Sequence, residues 1–179
     1  MGIAVGDGNL SNPNGRAVRL RVTCDTKYPR LIKNIMETIR IILPDNKVSV
    51  VKRAKTYIDI SCYSNQWELI LGWKVGKGSK YQQQVSIPDW IQKEKKFVRL
   101  CLRGLIETDG SIYMDRGYRY VNFVTTIAPL AYAFQSMTRS LGYKPNTQIH
   151  SLPKSKKKYT IRISKQTERF IRELALKKE

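Results

Sequence analysis

Histidine is nearly absent from the chain: His150 is the only one in 179 residues. Zinc hydrolases, histidine-based nucleases and catalytic triads each need at least one well-placed imidazole, so all three are disfavoured. His150 falls in a stretch that reads as a strand, where it is structural or a DNA contact. Cysteine is scarce too. Cys24, Cys62 and Cys101 are widely spaced and form no Cys-x-x-Cys pair, which makes them small buried residues of a reducing compartment rather than a disulfide frame or a zinc site. Acids are few, 14 Asp and Glu against 33 Lys and Arg, giving a net charge of +19 and a pI near 10.0. Such an excess repels itself and is tolerated mainly for a polyanionic partner. The basic residues are spread along the whole chain, so the binding surface should be part of the fold and not a tail. No apolar run is long enough to span a bilayer, and no charged-then-apolar leader opens the chain. Met-Gly at the start invites myristoylation, but position 6 is Gly where Ser or Thr is wanted. A soluble, intracellular protein without a membrane partner is expected, in the cytoplasm of a prokaryote or in an organelle.

What is present centres on residues 102–110, LRGLIETDG, and on a weaker copy in residues 1–8, MGIAVGDG. Gly2 matches Gly104, Asp7 matches Asp109 and Gly8 matches Gly110, all at one offset of 102 residues. Leu100, Leu102, Leu105 and Ile106 recur at helical spacing, and Gly110, which takes positive φ at no steric cost, suits the place just past the helix end. Asp109 then lies in the last turn, facing the negative end of the helix macrodipole at a cost of about 0.3–1 kcal/mol. One such acid is unremarkable, but two in matched places need a reason. A carboxylate together with free helix-end carbonyl oxygens makes a hard oxygen site suited to Mg²⁺.

The small residues extend the argument. Gly2 and Gly6 lie four apart, as do Gly104 and Thr108, so each helix carries a shallow stripe that another backbone can approach closely. Facing stripes would end both helices together and set Asp7 beside Asp109, where metal ions could bridge them to phosphate oxygens for in-line displacement.

This paired signature resembles the LAGLIDADG homing endonucleases in their single-chain form with two motifs. The second copy departs from the pattern at Arg103, Glu107 and Thr108, and the first begins one residue before its signature glycine. The resemblance implies an α+β fold of two pseudo-symmetric α-β-β-α-β-β-α repeats packed through the motif helices, with antiparallel sheets forming a saddle for DNA. It implies a metal-dependent double-strand break with short 3′ overhangs, made by a monomer with an internal pseudo-twofold. Asp7 and Asp109 become catalytic and metal-holding acids, with Gly6 and Thr108 supplying helix-end oxygens. Mg²⁺ or Mn²⁺ would support cleavage, and Ca²⁺ binding alone. A family lysine that approaches the active site would be Lys77, with Lys74 the alternative.

The remaining sequence fits two repeats. Residues 16–23 alternate as a half-buried strand with a cationic outer face, residues 28–43 form an amphipathic helix, and residues 47–53 and 56–63 form strands before a short helix over 64–72. The second half repeats the list: strand 118–126, helix 129–141, strands 147–151 and 159–164, and a helix over 165–176. Residues 9–15 read as a turn, so the first strand of each half is hidden in irregular sequence. The division is 1–73, linker 74–95 and 96–179, with a short strand conceivable at QQQV and SIP in the linker. The second half ends at Lys177, Lys178 and Glu179, so no counterpart of the linker lysine is assigned there. Arg19, Arg21, Arg53, Tyr120, Asn122 and Arg162 are the expected DNA contacts, although a one-residue slip would reverse a strand's faces. Three other functions stay open: an intron RNA maturase, a DNA-binding regulator that does not cut, and an unrelated basic RNA-binding protein, which lacks any RNP, KH or zinc-knuckle pattern.

Overall fold

In the computed structural model, which describes residues 1–151, 153 and 155–176, each half builds one four-stranded antiparallel sheet. The first half runs α1 (Gly2–Gly6), β1 (Gly8–Ser11), β2 (Arg19–Asp25), α2 (Pro29–Ile42), β3 (Val48–Lys52), β4 (Tyr57–Tyr63) and α3 (Trp67–Leu71). After α4 (Asp89–Lys93), the second half runs α5 (Lys95–Asp109), β5 (Gly110–Asp115), β6 (Tyr118–Thr125), α6 (Ala128–Ser140), β7 (Asn146–His150), β8 (Lys158–Ile163) and α7 (Thr167–Leu174). The strand orders are β1-β2-β4-β3 and β5-β6-β8-β7, the same topology twice. Residues 177–179 of the expected second repeat lie outside the described residues.

Period-two alternation decides which face of each sheet is buried. Leu20, Val22 and Cys24 of β2 turn inward while Arg19, Arg21 and Thr23 turn out, and in β6 Val121 and Phe123 are the inward pair. Helices cover the inner faces. Leu31, Ile35 and Ile39 of α2 are buried, and Pro29 starts that helix where its missing N–H costs nothing. In the second half Phe123 stacks on Phe134 of α6 with ring centroids 4.4 Å apart. Trp67 is fully buried, and its indole N–H donates to the Cys62 carbonyl at 3.0 Å. Each such large apolar side chain removed from water contributes about 1.5–3 kcal/mol.

Four expectations change. The turn-like residues after Gly8 and the segment after Gly110 are strands, β1 and β5, that leave the helix ends without a loop. Gly110 does not take positive φ; it is extended at φ −90° and ψ 169°. It is glycine because a Cβ there would stand 2.7 Å from the Ile106 Cα and carbonyl oxygen, and Gly8 is in the same position 2.3 Å from the Ala4 oxygen. The linker carries the helix α4 rather than a strand, with Pro88 preceding its first turn. Leu100 is 58% exposed; the buried stripe of α5 is Val98, Cys101, Leu102, Leu105 and Ile106.

Helix α1 has five residues where α5 has fifteen. An apolar hollow of about 320 Å³ lies between α2, α3 and α5, lined among others by Ile35, Ile39, Leu71 and Leu100.

Candidate active site

The two short-side-chain stripes face each other. A Cβ added to Gly104 would lie 2.7 Å from the Ile3 backbone nitrogen and 3.1 Å from the Gly2 Cα, and one added to Gly2 would lie 2.2 Å from the Cys101 carbonyl oxygen. Helices α1 and α5 therefore cross backbone on backbone. One turn further on, Thr108 lies over Gly6: its hydroxyl would be 1.9 Å from a Cβ there, and the Asp109 Oδ2 would be 3.4 Å away. The Thr108 hydroxyl donates within α5, to the Gly104 and Leu105 carbonyls at 2.9 and 3.2 Å, so its side chain turns back along the helix. Asp7 caps α1, Asp109 is the last residue of α5, and both are exposed. The crossing thus delivers two carboxylates to one end of the helix pair.

The lysine at this end is Lys80, not Lys77 or Lys74. Its Nζ donates to the Val5 and Gly6 carbonyls, the last oxygens of α1. Burial pushes its ammonium below the ordinary value, while Asp109 and then Asp7 pull it back up. Lys77 is exposed in the turn before it, and Lys74 pairs with Glu68 at 3.7 Å. Positive φ at Gly76 and Gly78 reverses the chain just ahead of Lys80 and sets its direction, a path that residue spacing alone does not reveal. A hollow of about 350 Å³ opens beside Lys80 and Asp109, bounded by Gly6, Thr125, Thr126 and Lys158.

The donor set suits a hard divalent cation shared with a substrate. Among the described residues no cluster of three or more His, Cys, Asp or Glu could hold a metal by itself. Two carboxylates at helix ends leave most of a coordination shell to water and phosphate oxygens, the usual condition for Mg²⁺. Of the two expected carbonyl donors, that of Gly6 already accepts from Lys80. The thiols take no part: all three cysteines are free and buried, and burial first, then Asp7 and Asp59, pushes Cys24 up to about 12.

Of the expected DNA contacts, all but Arg53 lie within strands on the outer faces of the sheets. Counting from the motif glycines, the first outward row of sheet one is Asn9, Arg21, Ser61 and Ser49, and that of sheet two is Ser111, Asn122, Arg162 and Asn146. The next outward rows hold Ser11, Arg19 and Tyr63 in one sheet and Tyr113 and Tyr120 in the other. Arg53 follows β3 and folds back over the face to pair with Asp59 at 2.7 Å. Asp59 is only 5% exposed; it also accepts from the Thr23 hydroxyl at 2.7 Å and has Arg21 at 4.0 Å. Burial alone would raise its pKa, but the bonds from Arg53 and Thr23 and the charge of Arg21 outweigh it and hold the carboxyl below the usual range. Asp59 and Lys80 were not singled out as site residues from sequence. For Asp59 a signal exists, since alternation in YIDISCY puts this rare acid on the outer face.

Residues 96–175 match the LAGLIDADG-like domain family. The match is confined to this second half. The whole chain has the LAGLIDADG fold: it superimposes on the structure of I-DmoI in complex with DNA and Mn with a TM-score of 0.66 and 17% identity, covering 97% of this chain and 92% of that one. The N-terminal LAGLIDADG domain of DUF199/WhiA matches at TM-score 0.58 and 14% identity, over 98% of this chain and 79% of that one. Full-length DUF199/WhiA from Thermatoga maritima matches at 0.59 and 15% identity, with 53% of its length covered. No curated protein matches by sequence. At these identities the structures establish the LAGLIDADG fold, and the chemistry has to be argued from this chain's own residues.

Proposed function

We propose that this chain is a site-specific endonuclease that makes a divalent-metal-dependent double-strand break in a long, non-palindromic DNA target and leaves short 3′ overhangs. One observation carries the reading: Asp7 and Asp109 end two helices that cross on their glycines, with the Lys80 ammonium on the same helix end. A net charge of +19 and two outward-facing polar sheets supply the matching polyanion surface. Structures of I-DmoI with DNA and Mn, Mg or Ca support the same substrate and the same class of cation. We place the two repeats at 1–73 and 96–179 with the linker at 74–95, and read the chain as a monomer.

Asp7 and Asp109 would hold the cations, with the Thr108 carbonyl as a further oxygen donor, while the Gly6 carbonyl is engaged by Lys80. A bound divalent cation supplies Lewis-acid stabilisation of phosphate charge and a nucleophile at neutral pH. The protein's part is positional. The crossing fixes the separation of the carboxylates, one beside each scissile phosphate across the minor groove. Lys80, anchored by the Val5 and Gly6 carbonyls, presents a positive charge to the phosphate oxygens on which charge develops and orients water beside them. Strands β1 and β5 leave the acids directly, so the surfaces that grip the duplex are rigidly joined to the place where it is cut.

The test is cleavage of a plasmid library of candidate sites in Mg²⁺ by the wild type, Asp7→Asn and Asp109→Asn. Linear product from the wild type, with each variant binding but no longer cutting both strands, is the expected result. DUF199/WhiA carries the same fold, so the fold alone does not decide for cleavage. Specific binding without cutting under any divalent ion would replace the nuclease with a DNA-binding regulator or an intron RNA maturase, and intron splicing would then be the next assay.

A further inference from the structure

The two DNA-facing sheets are built alike and furnished differently at equivalent positions. In sheet one the first outward row has arginine on β2 and serine on β4, Arg21 opposite Ser61. In sheet two the arginine has moved to the neighbouring strand, with Asn122 on β6 opposite Arg162 on β8. The next row inward differs as well: Thr23 and Asp59 in sheet one correspond to Val124 and Thr160 in sheet two. Sheet one therefore ties Arg21 and Arg53 to a buried carboxylate that offsets much of their charge, whereas the matching place in sheet two has no acid.

Arg162 is held by other means. Its Nε donates to the Asn122 Oδ1 at 3.3 Å, and its guanidinium carbon lies 5.5 Å from the centroid of the Tyr120 ring. Tyr120 stacks on Tyr113 at 5.5 Å with 25° between the planes, and the Tyr113 hydroxyl accepts from the Asn122 Nδ2 at 3.3 Å. The four side chains close a ring of contacts. Within it the Asn122 amide is oriented by Tyr113, and the Arg162 fork is fixed in tilt by the aromatic pair and in rotation by Asn122. Using Nε inward leaves the terminal nitrogens Nη1 and Nη2 at the tip of the side chain, and their spacing matches the O6 and N7 acceptors of guanine in the major groove. A phosphate contact needs no such restraint, because a flexible cation serves it as well.

We infer that Arg162 is a base-reading residue for guanine, positioned by Asn122, Tyr120 and Tyr113, and that the half-site under sheet two is read by this fork while that under sheet one is read by a differently placed, acid-tethered pair. The inference rests on the nuclease reading and adds the specificity of one half-site. The row concerned begins one residue past Gly110 and hence two past Asp109, so the guanine lies in the part of the half-site nearest the cut.

The experiment is selection of bound sequences from a randomised duplex library in Ca²⁺ by the wild type, Arg162→Met and Asn122→Ala, with the affinity for the preferred site measured across a salt series. Thermal melts check that both variants remain folded. The wild type should select a G·C pair at one position of one half-site. Arg162→Met should lose that preference, with affinity for the selected site falling about tenfold or more, while preferences elsewhere persist. Asn122→Ala should blur the same position with the arginine still present, which a merely structural asparagine would not do. Uniform weakening by Arg162→Met on every sequence, with a shallower salt slope and unchanged preferences, would make Arg162 a phosphate contact and overturn the inference alone. A wild type that selects no sequence would overturn the specific nuclease and this inference together.

Discussion

Gly104→Ala tests whether the crossing of α1 and α5 joins the halves as described. The new methyl would stand 2.7 Å from the Ile3 backbone nitrogen, about 0.7 Å inside an ordinary contact, and 3.1 Å from the Gly2 Cα and carbonyl carbon. Every atom it meets belongs to backbone, so no rotamer change relieves it and the helices must separate. Overpacking of this kind costs about 1–3 kcal/mol, and with nothing able to turn aside the upper end applies. Alanine in place of glycine within a helix returns about 1 kcal/mol. The net loss is about 2 kcal/mol, which for a chain of this size is a fall of about 4–8 °C in Tm. Separating the helices also separates Asp7 from Asp109, and a displacement near 1 Å at reacting groups can cost about 100-fold in rate. Thermal melts by circular dichroism and plasmid cleavage read the two effects. An unchanged or higher Tm would mean that helix propensity alone is at work and that the halves do not meet through these backbones.

Lys80→Met should slow cleavage by about 100-fold or more while DNA binding in Ca²⁺ is kept; Lys77→Ala, in an exposed turn, should leave the rate unchanged, and the reverse pattern would return the role to Lys77. On the stability side, Glu173 of α7 accepts from the Tyr143 hydroxyl at 2.6 Å and pairs with Arg99 of α5 at 2.9 Å. The Tyr143 bond, then burial in the opposite sense, then Arg99 leave its carboxyl below its ordinary value. A folded pKa below the unfolded one means that the contribution is fully present above about pH 4.3 and is lost as pH falls through the folded value. Denaturant midpoints should therefore show Glu173→Gln weaker than the wild type by about 1.5 kcal/mol at pH 7, with the gap closing below about pH 4; a gap independent of pH would refute it.

Much of this was legible in the sequence because it depends on local period or local bulk. Alternation in residues 16–23 and the apolar spacing of residues 28–43 fix faces without reference to the rest of the chain. The glycine pairs at one offset announced a close crossing, since only missing side chains permit one. What escaped depends on paths between elements. Strands β1 and β5 are short and carry Gly, Asn and Ser, so their composition says turn; they are strands because β2 and β6 offer them a ladder to complete. The reach of Lys80 depends on two positive-φ glycines in a loop whose direction no periodicity encodes. Gly110 was expected to matter for its φ, and it matters for its lack of bulk.

A junction made of main-chain atoms carries almost no sequence information. It asks for the absence of side chains at Gly2 and Gly104, where backbone meets backbone, and for one small side chain, Thr108, over Gly6. The rest of either helix is then free to drift, and between the shared glycines IAVG of α1 stands where LIET stands in α5. Each half can acquire its own recognition surface without renegotiating its attachment to the other, so a duplicated ancestor could diverge on the outside while its centre stood still. Halves taken from different parents should, by the same logic, be interchangeable so long as both bring their glycines.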